Sequence, residues 1–182
     1  LFIRSFGNGV SAWMRHVLSA STLDLLVSTV AIAAAVLAFS LALALPYAWL
    51  VTRTDLPWRR GWAVFGAIPL VFPSYIAAFT VVSVLGPRGA LATLIGSTLP
   101  EVAYGWSGAL LALGLFSWPY IYLLLVAAMK DLDPALEEAA RSLGSDSRRV
   151  FLHVVLPQLR SPLAAGSLMV VLYTLSDFGA VS

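Results

Sequence analysis

EEAARSLGSDSRRVFLHVVLP, residues 137–157, is a compact charged stretch between two long apolar runs. It holds Glu137, Glu138, Arg141, Asp146, Arg148 and Arg149, whereas residues 102–129 before it and 161–176 after it carry no charge. The first part reads as a short helix. Asp133-Pro134 places an N-capping carboxylate before a proline at the first helical position. Leu136, Ala139, Ala140 and Leu143 follow at helical spacing and make one apolar face. Glu137, Glu138 and Arg141 lie away from that face, with Glu137 and Arg141 spaced as a favourable ion pair. Gly144 stands where a left-handed C-terminal cap is wanted. Ser145 or Asp146 then caps a second helix with Val150, Phe151, Val154 and Val155 on its apolar side. Leu156-Pro157 ends it, and Ser161-Pro162 repeats the cap-and-proline signal.

Outward from this stretch the chain is apolar. Apolar residues make up 60% and charged residues 11%, against about 45–50% and about 25% in soluble domains. So few charges cannot cover a water-soluble globule of this size. Residues 25–52, 61–87 and 102–129 are each free of charge, and about 20 apolar residues suffice to cross a bilayer. The run from 161 reaches that length when Asp177 and the residues after it are included. The expected spans are therefore about 25–52, 61–86, 102–129 and 162–182. Residues 89–99 are apolar but too short to span, which suggests an interfacial or re-entrant helix. Pro46, Pro69, Pro73 and Pro119 would kink these spans, and Gly66, Gly108 and Gly114 would let them approach closely.

The basic residues orient the bundle. Arg53, Arg59, Arg60, Lys130, Arg141, Arg148, Arg149 and Arg160 fall in two loops on one side, against Arg4, Arg15 and Arg88 elsewhere. The positive-inside rule puts those two loops in the cytoplasm and residues 1–24 outside, in the periplasm. Leu1 and Ser182 read as the cut ends of a longer chain.

Several chemistries are not encoded. With no cysteine there is no thiolate nucleophile or thiolate metal site. No Walker A pattern occurs, and Lys130 is the one lysine, so this chain holds no nucleotide in a phosphate loop. No nucleophile–base motif marks an enzyme. A net charge of +2 gives no footprint for nucleic acid. His16 and His153 are far apart and unclustered, which disfavours a metal site. Asp177, an acidic residue at the outer part of a span, is read as a structural interhelical contact or as a pathway or gating residue. Glu101 and Arg88 read as outer-surface charges.

Glu138-Ala139-Ala140, three residues, Gly144, nine residues, then Val154-Val155-Leu156-Pro157 resembles the EAA loop of ABC-importer permeases. Every spacing of that pattern matches, with Val154 in place of the usual isoleucine. The resemblance extends from about Leu23 to the end. EEAARSLG, the preceding WPYIYLLL and the later LSDFGAVS look most like the ferric-iron branch. It implies an all-α polytopic bundle of the type I importer permease fold, here with about four transmembrane helices in a multi-pass protein of the bacterial inner membrane. It further implies that residues 130–161 form a cytoplasmic coupling loop, with Glu137, Glu138, Ala139, Ala140, Arg141, Gly144, Leu156 and Pro157 in its motif. The implied partners are an ABC ATPase dimer that binds ATP and magnesium, a periplasmic solute-binding protein, a second permease half or fused repeat, and membrane lipid. The chain itself would bind no cofactor. A same-fold permease for thiamine, polyamine or phosphonate is the alternative within this class. A channel or secondary transporter running without ATP is the alternative outside it.

Overall fold

The computed structural model describes residues 20–96 and 101–177, and all its regular structure is helical. Helix α1 spans Ala20–Arg53 and α2 spans Arg59–Phe65. A 3-10 turn, Ile68–Val71, leads to α3, Ser74–Leu85, and α4, Ala90–Ile95. Helix α5 runs Gly105–Asp131, and α6 runs Pro134–Ser142. Helix α7, Ser147–Val150, continues through a π-helical turn, Phe151–Val155, into α8, Leu156–Gln158. Helix α9 spans Arg160–Asp177.

Three stretches are long and apolar enough to cross a membrane: Thr22–Arg53, Tyr75–Ile95 and Gly105–Asp131. The pair Ser147–Gln158 and Arg160–Asp177, bent by 70°, makes a fourth if it is one broken span. Helix α5 is the axis of the bundle: 61% of its most apolar window is buried, against 22% for α1 and 17% for Tyr75–Ile95. Many large apolar side chains of the other helices, such as Leu25, Val27 and Val30 on α1 and Phe79 on α3, are exposed. That pattern suits lipid as the solvent, since an outer apolar face costs nothing there.

Apolar burial does little to drive helices together in a bilayer, so close packing and polar contacts must hold them. Both are present. Gly114 of α5 meets the Phe39 ring, and a Cβ there would stand 2.5 Å from it. Ser40 and Ser117 hydroxyls meet at 3.3 Å between α1 and α5. Near the other end, Thr52 reaches the Met129 sulfur at 3.1 Å while also donating to the Ala48 carbonyl. Pro46 and Pro119 lie inside α1 and α5 without ending them. Pro119 is fully buried, so neighbouring helices cover the break in its backbone ladder.

The second expected span differs from one continuous helix over 61–86. It is broken between Phe65 and Ser74, where Pro69 opens the 3-10 turn and Pro73 precedes α3. The break is held by two tyrosines. Tyr47 donates to the Trp62 carbonyl at 2.8 Å, which also accepts from the Gly66 N–H, and Tyr122 donates to the Ala63 carbonyl at 3.0 Å near the end of the short α2. Gly66 is required at this point, because a Cβ would stand 2.7 Å from both rings. The apolar span shifts accordingly to Tyr75–Ile95. Residues 90–95, expected as part of a separate interfacial segment, form α4 at its C-terminal end. Of the remaining expectations, His16, Arg4, Arg15, most of the 1–24 segment and residues 178–182 of the last span lie outside the described residues.

Candidate functional site: the helical loop at one end of the bundle

The loop begins where α5 ends. Asp133 caps α6, its carboxylate accepting from the Ala135 N–H at 2.9 Å, with Pro134 at the first helical position. Gly144 ends α6 with φ +83°, the left-handed region. Its N–H donates to the Arg141 carbonyl at 2.9 Å, and the Ser145 N–H donates to the Ala140 carbonyl at 3.1 Å. These two bonds are the Schellman pair, which satisfies the carbonyls a helix end leaves open. Asp146, rather than Ser145, caps α7 by accepting from the Arg149 N–H at 3.1 Å. Two capped helices and a left-handed turn thus lock α6 and α7 at a set angle.

The second half of the loop is anchored. Val150, Val155 and Leu159 are fully buried in the same core as Val36 of α1, Leu125 and Met129 of α5 and Val170 of α9. Trp49 of α1 packs edge-on against Phe151, ring centroids 4.8 Å apart and planes at 71°. Leu156-Pro157 does not end this helix. The π turn precedes Pro157, and the helix continues to Gln158 before the chain turns at Leu159. A proline removes one ladder N–H and crowds the carbonyl four residues back. Widening the preceding turn relieves that crowding. The Gln158 amide adds a side-chain bond to the Val154 carbonyl at 2.8 Å.

The first half, α6, lies the other way round from the expected arrangement of its charges. Glu137 is not on a solvated face and does not pair with Arg141. It is buried and meets Arg53, the last residue of α1, with Oε1 2.7 Å from Nη2. Arg141 is exposed. The reason is placement: α6 lies beside the end of α1, and the face carrying Glu137 and Ala140 is the one turned inward. Leu136 and Leu143 are left 50% and 88% exposed, with Ala139 and Glu138 exposed beside them. The apolar stripe expected for α6 is real, but nothing among the described residues covers it. Leu156 is half-buried and Pro157 exposed.

The end of α1 was not singled out by sequence reasoning. Arg59 reaches back and donates to the Val51 and Thr52 carbonyls, which caps α1 and fixes the turn into α2. The signal available was a cation a few residues beyond a long apolar helix.

The Arg53–Glu137 contact brings the 53–60 turn and the 130–161 loop to one end of the bundle, as the distribution of basic residues requires. Arg88 is exposed beyond α3, near Gly86, whose Cβ position is 3.7 Å from the Tyr104 hydroxyl at the start of α5. The length of α5, about 40 Å at 1.5 Å per residue, separates that end from the loop. Asp177 closes α9 at its far end from the loop, half-buried, with Oδ2 enclosed and unpartnered among the described residues. His153 contacts the Arg149 carbonyl at 3.2 Å, and among the described residues no group of acidic and histidine side chains is placed to hold a metal.

Apolar helices of spanning length around one central helix, with a capped two-helix loop rooted in their core, define a multi-pass α-helical membrane protein. The chain belongs to the family described as the binding-protein-dependent transport system inner membrane component, whose sequence model matches residues 57–182. It is 31% identical over 134 residues to the sulfate transport system permease protein CysT of Salmonella typhimurium, a match covering 74% of this chain and 48% of that protein. It is 31% identical over 147 residues to the molybdenum transport system permease protein ModB of Escherichia coli K12, covering 78% and 62% respectively. The sulfate transport system permease protein CysW of the same strain is 26% identical over 182 residues, all of this chain and 62% of the relative. The chain therefore spans about half to three-fifths of the length of these curated relatives. They are named for sulfate and molybdenum, and the expected ferric-iron branch finds no support in them.

Proposed function

We propose that this chain is part of the membrane permease subunit of an ABC importer, and that its solute is a small oxyanion of the sulfate and molybdate class. The observation that carries the transport reading is the loop. Its first helix presents an uncovered face of Leu136, Ala139 and Leu143, with Glu138 also exposed on the same helix, while its second helix is embedded in the bundle core. A helix presented in this way suits insertion into a groove on a cytoplasmic ATPase. Glu138 is placed to accept charge-assisted hydrogen bonds from that partner. The Schellman turn and the buried Val150, Val155 and Leu159 make the loop stiff enough to pass a rigid-body displacement into α5 and α9. ATP and magnesium belong to the ATPase, a periplasmic binding protein presents the solute, and a second permease half completes the pathway. Asp177, beyond the loop by the length of α9, serves as a pathway or gating carboxylate in this scheme. The excess of basic residues at the loop end puts that end in the cytoplasm.

The oxyanion assignment takes its support from the names of the relatives. The complete protein, reconstituted in proteoliposomes with its ATPase and binding protein, tests both parts. ATP-dependent uptake of radiolabelled sulfate or of molybdate is expected. Uptake of ferric iron with neither oxyanion would overturn the solute, and uptake independent of ATP would overturn the class.

A further inference from the structure

Helix α6 is joined by the chain to α5 and, through α7 and α8, to α9. Its one ion pair goes elsewhere, to α1. Arg53 and Glu137 approach to 2.7 Å with their side chains only 18% and 11% exposed. The contact is charge against charge: Arg53 Nε and Nη2 and Glu137 Oε1 are buried without a well-formed hydrogen bond. No other ion pair occurs among the described residues. A solvated pair of this kind would contribute almost nothing. Here each group is the other's compensating charge in a site mostly closed to water, so removing either leaves the other stranded.

Two further contacts give the pair its meaning. Arg53 is not needed to cap α1, because Arg59 already occupies the Val51 and Thr52 carbonyls. It is therefore free to reach sideways. One helical turn earlier, Trp49 packs against Phe151 in the second half of the loop. Helix α1 thus grips both halves of the loop, α6 through a charge and the π turn through an aromatic edge, although neither is its neighbour in sequence.

We infer that Arg53 and Glu137 are positioning residues that make α1 move together with the loop, so that force applied to α6 is delivered to the first helix as well as to α5 and α9. This rests on the reading of the loop as the ATPase-docking element. Glu138 and Leu143 meet the partner; Glu137, the next residue and turned inward, passes the displacement to α1. Without the pair, α6 would still dock but would swing against α1.

The test uses the complete protein with its ATPase and binding protein in proteoliposomes, as wild type, Arg53→Glu, Glu137→Arg and the double exchange. Retention of the ATPase, ATP hydrolysis and solute uptake are measured together. Each single variant should keep the ATPase, since Leu136, Glu138 and Leu143 are untouched. Solute moved per ATP should fall about tenfold, within the usual range of coupling between sites. The double exchange should recover most of the loss. If a single variant fails to insert, recovery of both insertion and coupling by the exchange supports the pair equally. Wild-type coupling in both single variants would overturn the inference. So would a double exchange that assembles fully and stays as uncoupled as the singles. A wild-type protein that moves solute while retaining no ATPase would sink the docking reading, and this inference with it.

Discussion

Gly166 of α9 lies so close to α5 that an added Cβ would stand 2.9 Å from the Cα of Ile121. The obstacle is backbone, so no side-chain rotation can relieve it. In a bilayer, where apolar burial gives little drive, such close approach is what packs one helix on another. Gly166→Ala should force α9 outward and lower stability by about 1–3 kcal/mol, the usual range for overpacking. Gly96 is the control: nothing lies within 4 Å of its Cβ position, although its φ of +66° favours glycine or asparagine. Unfolding in mild detergent should show a clear loss for Gly166→Ala and little change for Gly96→Asn. Equal stability of Gly166→Ala and wild type would refute the close crossing.

Gly144 presents the opposite situation. Nothing lies within 4 Å of a Cβ there, so space is not the constraint; its φ of +83° is. Gly144→Val should cost about 1–2 kcal/mol of local strain and change the angle between α6 and α7. Gly144→Asn, which tolerates the left-handed region, should behave almost as wild type. Uptake assays with membrane insertion checked in parallel will separate the two. Loss of function in both variants would point to a need for glycine other than backbone conformation.

Glu138 and Glu137 are adjacent and should fail differently. Glu138 is exposed, and its backbone carbonyl accepts from the Ser142 hydroxyl of the same helix at 2.9 Å. Glu138→Lys should leave insertion intact and release the ATPase during purification. The lost charge-assisted bonds would each contribute about 1.5–3 kcal/mol. Glu138→Ala should be milder, because Leu136 and Leu143 remain. Full ATPase retention by Glu138→Lys, with unchanged hydrolysis, would remove α6 as the docking helix.

The absence of cysteine makes topology directly testable. Single cysteines at Arg60 and Arg148 should react with an impermeant thiol reagent from the same side, and a cysteine at Arg88 only from the other. All three positions are exposed in the fold. Labelling of position 148 from outside intact cells would reverse the orientation.

The features legible in the sequence are those set by near neighbours. Charge-free runs marked α1 and α5 to within a few residues, because a spanning helix must be apolar throughout its own length. Asp133 and Gly144 announced the caps of α6, and Ser145-Asp146 narrowed the cap of α7 to two residues, since a cap depends on groups two to five residues away. The apolar stripe of α6 was equally plain. Pro157 misled, because its usual effect is to end a helix, and the π turn before it accommodated it.

Which way these local pieces face depends on contacts between distant segments. The pattern of α6 is the same whether its leucines or Glu137 point inward. Arg53 settles the choice from a distant part of the chain, because a charge withdrawn from water demands its counter-charge. The break at Gly66 is likewise closed by Tyr47 and Tyr122, from helices that no local signal links to it. The helices, their caps and their apolar lengths follow from short-range steric and hydrogen-bonding rules acting along the chain. The packing of α1 and α5 against the loop determined the inward carboxylate and the outward leucines, because those depend on contacts that exist only once the helices have met.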